Sequence, residues 1–135
     1  MNKPMPIPLS MIVCDTIIED KKTNKKSLIG MFSNVATGQV PCVLPRFGIF
    51  ISLTEGIGHY DCMVKCLRSN DNSLIGQTLG AVDFNDRRQV VEIALDITGL
   101  AIPQYGDYRF EFYCDQELLI SRKFSVSLPA SQSNA

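Results

Sequence analysis

Between Leu100 and Leu128 the sequence spells out one β-hairpin, and no other segment restricts the fold as much. Pro103, Tyr105 and Gly106 turn the chain into it, and Tyr108, Phe110, Phe112 and Cys114 then fall on alternate positions. Asp115-Gln116 supplies a turn, after which Leu118, Ile120, Phe124 and Val126 run back. Period-two alternation puts one face of a strand in a core and the other in water. Pro103 and Gly106 punctuate the chain where it turns into the first of these strands, which a continuous helix would not tolerate. The hairpin is therefore antiparallel, and it sets the expectation for the rest of the chain.

The same pattern recurs upstream. Residues 9–18 and 27–35 read as a first and second strand around a polar turn, in which Asn24 suits a left-handed position. The first strand is apolar on both faces, with Met11, Val13 and Ile17 set against Ile12, Cys14 and Ile18. Leu44-Pro45 opens a third strand carrying Phe47, Ile49, Ile51 and Leu53, and Tyr60, Cys62, Val64 and Cys66 mark a fourth. A fifth, over 73–84, is weakened by Gly76 and Gly80, where bulges or a bend are expected. Val91, Ile93, Leu95 and Ile97 form a sixth before the closing hairpin adds two more. Short strands at near-regular spacing predict an all-β fold, an antiparallel immunoglobulin-like β-sandwich of about seven to eight strands. Alternation tells which side chains point inward but not which strands are neighbours, so a partly open barrel stays open as an alternative. The expected organisation is a flexible lead over 1–8, one sandwich domain over 9–128 and a polar tail over 129–135. Asn24-Lys25-Lys26-Ser27-Leu28-Ile29-Gly30 echoes Asn70-Asp71-Asn72-Ser73-Leu74-Ile75-Gly76, which reads as two polar turns feeding return strands rather than as a repeat.

A chain of 135 residues suits one domain, and such a domain buries roughly two-thirds of the surface its unfolded form exposes. The net charge of -1 argues against an extended surface for nucleic acid. No apolar run approaches the ~20 residues of a membrane-spanning helix, so no membrane partner is expected. The N-terminal segment has three prolines and one lysine among its first eight residues, without the apolar run or cleavage site of a secretory signal. Cys14, Cys42, Cys62, Cys66 and Cys114 are odd in number and follow no framework spacing. They read as reduced core thiols in a cytoplasmic protein.

The chemistry-bearing residues are sparse. His59 is the only histidine, so no second imidazole can join it in a metal site or a nucleophile pair; it reads as a solvated loop residue. Cys62 and Cys66 on one strand lie roughly 13 Å apart, too far to share a metal or a disulfide. Lys21, Lys22, Lys25 and Lys26 sit at one turn, beside Glu19 and Asp20, and Arg87-Arg88 follow an Asn-Asp turn. Both read as solvated, with a small anion patch as the functional alternative. Asp107 with Glu111, and Asp83 with Asp86, read as outward-facing pairs without the enclosure that general acid–base chemistry needs. The segment 103–108 reads as a corner anchored by Tyr108 rather than as a recognition loop. No catalytic, cofactor-binding or metal-binding residue is assignable.

Several of these signals also carry a resemblance. Lys26-Ser27-Leu28-Ile29-Gly30-Met31-Phe32, then Leu44-Pro45-Arg46-Phe47, then Ile102-Pro103-Gln104-Tyr105-Gly106-Asp107-Tyr108-Arg109-Phe110-Glu111 and Glu117-Leu118-Leu119, resemble a family of small bacterial proteins classed as a domain of unknown function. The likeness covers about residues 9–128 and implies a single sandwich, with no established activity or catalytic residues to carry over. Asp115-Gln116 departs from the tighter Asp-Gly turn expected there. Together the residues point to a non-enzymatic, cytoplasmic interaction module that binds a protein partner or a second copy of itself. Residues 9–18 and 27–35 are the leading self-pairing surfaces. The alternative is small-ligand or carbohydrate binding through loops at one end, around 54–59 and 39–45.

Overall fold

In a computed structural model that describes residues 3–130, the alternating segments become nine strands. They are β1 (Ile7–Glu19), β2 (Lys26–Met31), β3 (Asn34–Ala36), β4 (Cys42–Thr54), β5 (Gly58–Arg68), β6 (Leu74–Phe84), β7 (Val91–Ile102), β8 (Gly106–Cys114) and β9 (Glu117–Ser127). Two sheets form, one ordered β2-β1-β4-β7 and the other β3-β9-β8-β5-β6. The fold is an all-β sandwich. Every pairing is antiparallel except that of β3 with β9, which is parallel.

The core is built from the residues whose alternation marks them. Ile49, Ile51 and Leu53 of β4 and Tyr108, Phe112 and Cys114 of β8 are fully buried, with Phe47 and Phe110 almost so. Burying one such side chain contributes about 1.5–3 kcal/mol. Phe110 stacks on Phe124 with ring centroids 4.8 Å apart, and Phe47 meets Phe110 across the two sheets at 5.7 Å. The corner before β8 is closed by Tyr108, whose hydroxyl donates to Gln104 O at 2.6 Å.

Four local results refine the sequence reading. The single strand expected over 27–35 is two strands in different sheets. Gly30 has a positive φ of 73°, and past it Phe32 N donates to Val13 O (3.0 Å) while Ser33 O accepts from Ser125 N (2.9 Å). The chain thus crosses from one sheet to the other between Phe32 and Ser33. The bulge expected in β6 lies at Ile75, where the register passes from Cys66–Gly76 to Leu67–Leu74; Gly80 pairs regularly with Cys62. Asp115 and Gln116 both adopt positive φ, 46° and 72°, so the hairpin keeps the tight two-residue turn with a glutamine where glycine is usual. Finally, of the loose lead expected over 1–8, residues 1–2 lie outside the described residues and residues 3–8 are tied down. Tyr60 donates to Pro4 O at 2.5 Å, Lys3 lies 3.1 Å from Asp115, and Ile7 pairs with Thr54. Of the polar tail, Pro129 and Ala130 are described and the rest lies outside the described residues.

The two turns of the sequence echo share one hydrogen-bond plan, in an offset register. Asn24 N bonds Asp20 O and Asp20 N bonds Lys25 O; likewise Asn72 N bonds Arg68 O and Arg68 N bonds Ser73 O. The left-handed residues are Asn24 and Asn72, so Asn24 corresponds to Asn72 rather than to Asn70. The likeness is one of turn chemistry, as the sequence reading held.

Candidate functional site

The inward face of β6 explains why the sandwich is open on one side. Cross-strand pairing sets Gly76, Thr78 and Gly80 opposite Cys66, Val64 and Cys62, all on the core face. Val82 and Phe84 fill the far end of that face, while in the first half of the strand Ile75, at the bulge, is the one large side chain packed towards the core. Two cavities result, end to end along β6. The larger, about 420 Å³, is floored by Ile49, Cys66 and Phe110 and walled by Gly76 on β6 and Ile97 and Leu100 on β7. The smaller, about 110 Å³, reaches Cys62 and Phe112 beneath Gly80. Val64 and Thr78 line both. A methyl added at Gly80 would have nothing within 4 Å, so the slot there is open space.

β6 and β7 are each the last strand of their sheets, and among the described residues no strand pairing joins them. Their outer edges therefore leave unpaired backbone N–H and C=O groups on both lips of the cleft. Asp96 on the rim is neutralised by Arg46, Nε to Oδ1 2.9 Å and Nη2 to Oδ2 2.8 Å. On the floor, burial pushes the Cys66 thiol up to about 12, which leaves it protonated and unreactive at neutral pH. The arrangement sets unpaired edge groups beside two cavities.

The residues singled out in the sequence fall elsewhere. His59 belongs to β5, on the outer face rather than in a loop. Its Nδ1 lies 2.9 Å from Asp83 and its Nε2 3.1 Å from Asp61, and the hydrogen bond to Asp83, then that to Asp61, raise its pKa. The spacing of Asp61 two residues on along a strand signals the second of these contacts; Asp83 comes from β6 and carries no such signal. Among the described residues no group of three or more ligand side chains could hold a metal ion. The lysine cluster is divided: Lys26 turns to Glu19 (3.3 Å) and Glu92 (3.0 Å), while Lys21, Lys22 and Lys25 are exposed. Arg87 faces Glu55 at 3.4 Å and Arg88 faces Asp86 at 3.4 Å.

Three expectations are corrected by the topology. β1 is paired on both sides, by β2 and β4, so residues 9–18 offer no free edge; β2 and β3 do. The loops around 54–59 and 39–45 follow and precede the same strand, β4, and so lie at opposite ends of the sandwich instead of forming one loop cluster. Glu111 is buried on the outer face of β8, where Tyr113 donates to Oε1 (2.6 Å) and Arg109 Nε to Oε2 (2.8 Å). The signal was present, since Arg109 and Tyr113 flank Glu111 at the spacing that shares a strand face. The contact that spacing could not show is Cys62 to Cys114, whose sulfurs lie 3.6 Å apart across β5 and β8.

Residues 9–127 match a family of unknown function, DUF6941. The chain belongs to that family. No curated protein matches the sequence. The matched span runs from β1 to the last residue of β9, so the family's unit is the whole sandwich, with both lips of the cleft inside it. No helix among the described residues is long and apolar enough to cross a membrane.

Proposed function

We propose that this sandwich is a non-enzymatic interaction module that takes an extended segment of a partner protein into the cleft between β6 and β7. One observation carries the reading: two free strand edges flank two cavities set in a row along β6, the smaller apolar and the larger lined by apolar and polar side chains alike. Added strands are held by main-chain hydrogen bonds, and pockets for alternate side chains supply selectivity. The cleft offers both. Five free thiols suit a reducing compartment such as the bacterial cytoplasm.

Panning a random peptide library against the folded protein tests this. Enriched peptides should carry apolar residues at alternate positions, and binding should protect the edge amides of β6 and β7 from hydrogen exchange. Gly80→Val, which fills the smaller cavity, should weaken them at least tenfold. Failure to enrich any peptide, or equal binding by Gly80→Val, refutes the reading.

A second reading has support from cavity size. At about 420 Å³ the larger cavity falls within the ~300–1,000 Å³ of small-molecule sites. A small apolar ligand would stabilise the protein while leaving the edge amides of β6 and β7 unprotected.

A further inference from the structure

Cys62 and Cys114 face each other directly in the β5–β8 ladder. Beside them Asp115 N donates to Asp61 O at 2.8 Å, which makes that flanking position the hydrogen-bonded one. The cysteines therefore occupy a non-hydrogen-bonded position, where opposed Cα atoms approach to ~4.5 Å. This is the short end of the ~4.4–6.8 Å that disulfides span. Their sulfurs are 3.6 Å apart, so a bond at ~2.05 Å requires side-chain rotation and little backbone movement. Cys114 is fully buried, whereas Cys62 is 8% exposed and lines the cavity of about 110 Å³ beneath Gly80. That cavity reaches the surface beside Leu79, itself 74% exposed. Among the described residues no other sulfur–sulfur contact is made.

We propose that Cys62 and Cys114 are a reversible redox pair, in which a small hydroperoxide reaching the cavity oxidises Cys62 and Cys114 closes a cross-strand disulfide. In the first step the Cys62 thiolate attacks one peroxide oxygen. An S–O bond forms, the O–O bond breaks, sulfur loses two electrons to the peroxide, and the departing hydroxide or alkoxide takes the proton given up by the Cys62 thiol to become water or alcohol. In the second step the Cys114 sulfur attacks the sulfenic sulfur. The S–S bond forms, the S–O bond breaks, and the hydroxyl leaves as water with the Cys114 proton. Two thiols and one hydroperoxide thus give one disulfide, one water and the water or alcohol from the peroxide. The hydrogen bond from Cys114 lowers the Cys62 thiol pKa against the opposing effect of burial, while that bond and burial raise Cys114. Cys62 is the sulfur the cavity reaches, and so the one that attacks first. A disulfide at a site the cavity reaches is returned to thiols by a dithiol reductant through thiol–disulfide exchange. The assignment does not rest on the proposed function, and a side chain seated in the smaller cavity would bar the peroxide from Cys62.

The full-length protein, reduced and then treated with hydrogen peroxide under native conditions, tests the assignment. Free-thiol titration after denaturation should fall from five thiols to three, and peptide mapping should recover one cross-link, Cys62 to Cys114, that dithiothreitol reverses. In Cys114→Ser, the sulfenic acid should persist at Cys62 and be trapped by dimedone. Retention of all five thiols, arrest of the unmodified protein at sulfenic or sulfinic Cys62, or cross-linking of any other pair overturns the proposal. If Cys62→Ser leaves Cys114 oxidised as fast as before, the assignment of Cys62 as the attacking sulfur is overturned as well.

Discussion

Gly80→Val should stabilise the protein, which is the opposite of what filling an interior position usually does. Gly80 does not have a positive φ, so a β-branched residue fits its backbone. A Cβ there meets nothing within 4 Å, and the cavity below is about 110 Å³. Removing a glycine's freedom from the unfolded chain contributes about 0.4–1 kcal/mol. Full burial of a valine contributes ~1.5–3 kcal/mol, and on this exposed edge strand roughly a third of that is a fair share. The sum is about 1–2 kcal/mol of added stability. An unfolding entropy of ~2.1 cal/mol/K per residue over 135 residues converts this to a rise in Tm of roughly 3.5–7 °C.

Differential scanning calorimetry and urea titration measure it, with the urea m-value unchanged if only the folded state gains. Gly56→Ala is the matched contrast. A methyl there would lie 2.5 Å from Phe84 Cδ1, and Phe84 is buried and held edge-on against Tyr60. That variant should lose about 1–3 kcal/mol by overpacking. A Gly80→Val protein with unchanged or lowered Tm would show that the slot beneath β6 is not open, and the cleft with it.

Gln116→Gly should raise stability by about 0.5–1 kcal/mol in chemical denaturation, because glutamine holds a φ of 72° that costs an L-residue ~1–2 kcal/mol and glycine far less. Burial alone would raise the Glu111 pKa, but hydrogen bonds from Tyr113 and Arg109 outweigh it and hold the carboxyl below its usual range. Its stabilisation is therefore present above the unfolded value near pH ~4.3 and lost as pH falls through the lower folded value. Glu111→Gln should be less stable at neutral pH by about 1–3 kcal/mol, with the gap from the parent closing in urea titrations run at acid pH. His59 titrates in the other direction: with Asp83 and Asp61 raising its pKa, its contribution is full below ~6.5 and lost as pH rises through the raised folded value. As the only histidine it gives a single Cε1–H imidazole signal in proton NMR, whose midpoint should lie above ~6.5 and drop towards it in Asp83→Asn.

Period two predicts strands well because it reports which side chains meet the core. Tyr108, Phe110, Phe112 and Cys114 are all buried, as their alternation implies. It is silent about which sheet a strand joins, and so residues 27–35 read as one strand although backbone hydrogen bonds send their halves to different sheets. Pairing between distant segments is equally invisible. Cys62 and Cys114 are brought together by the β5–β8 register, and no spacing between them along the chain encodes that. Gly76 and Gly80 were visible as interruptions of β6. Their larger consequence, a missing inner wall, depends on both falling on the core face, which only the register with β5 establishes.

The two long seams of the sandwich are closed by different means, and this asymmetry gives the molecule its open side. On the β1/β9 side the chain itself passes between the sheets at Phe32 and Ser33, bonding Val13 in one and Ser125 in the other. Phe32 then packs edge-on against Phe47 with ring centroids 6.4 Å apart, and Asn34 holds β3 to β9 through Ser125 and Ser127 at 2.7 and 3.0 Å. Opening that seam would break backbone hydrogen bonds and expose aromatic core. On the β6/β7 side the connecting chain is a turn at one end, where Gln89 N bonds Asp86 O at 3.0 Å. Beyond it the sheets face each other across glycines. An inserted strand would there satisfy edge groups on both lips without displacing an existing pair. The barrel that period two alone leaves conceivable therefore does not form: the two sheets stay separate, and the seam between β6 and β7 is the one along which the sequence places its inward glycines.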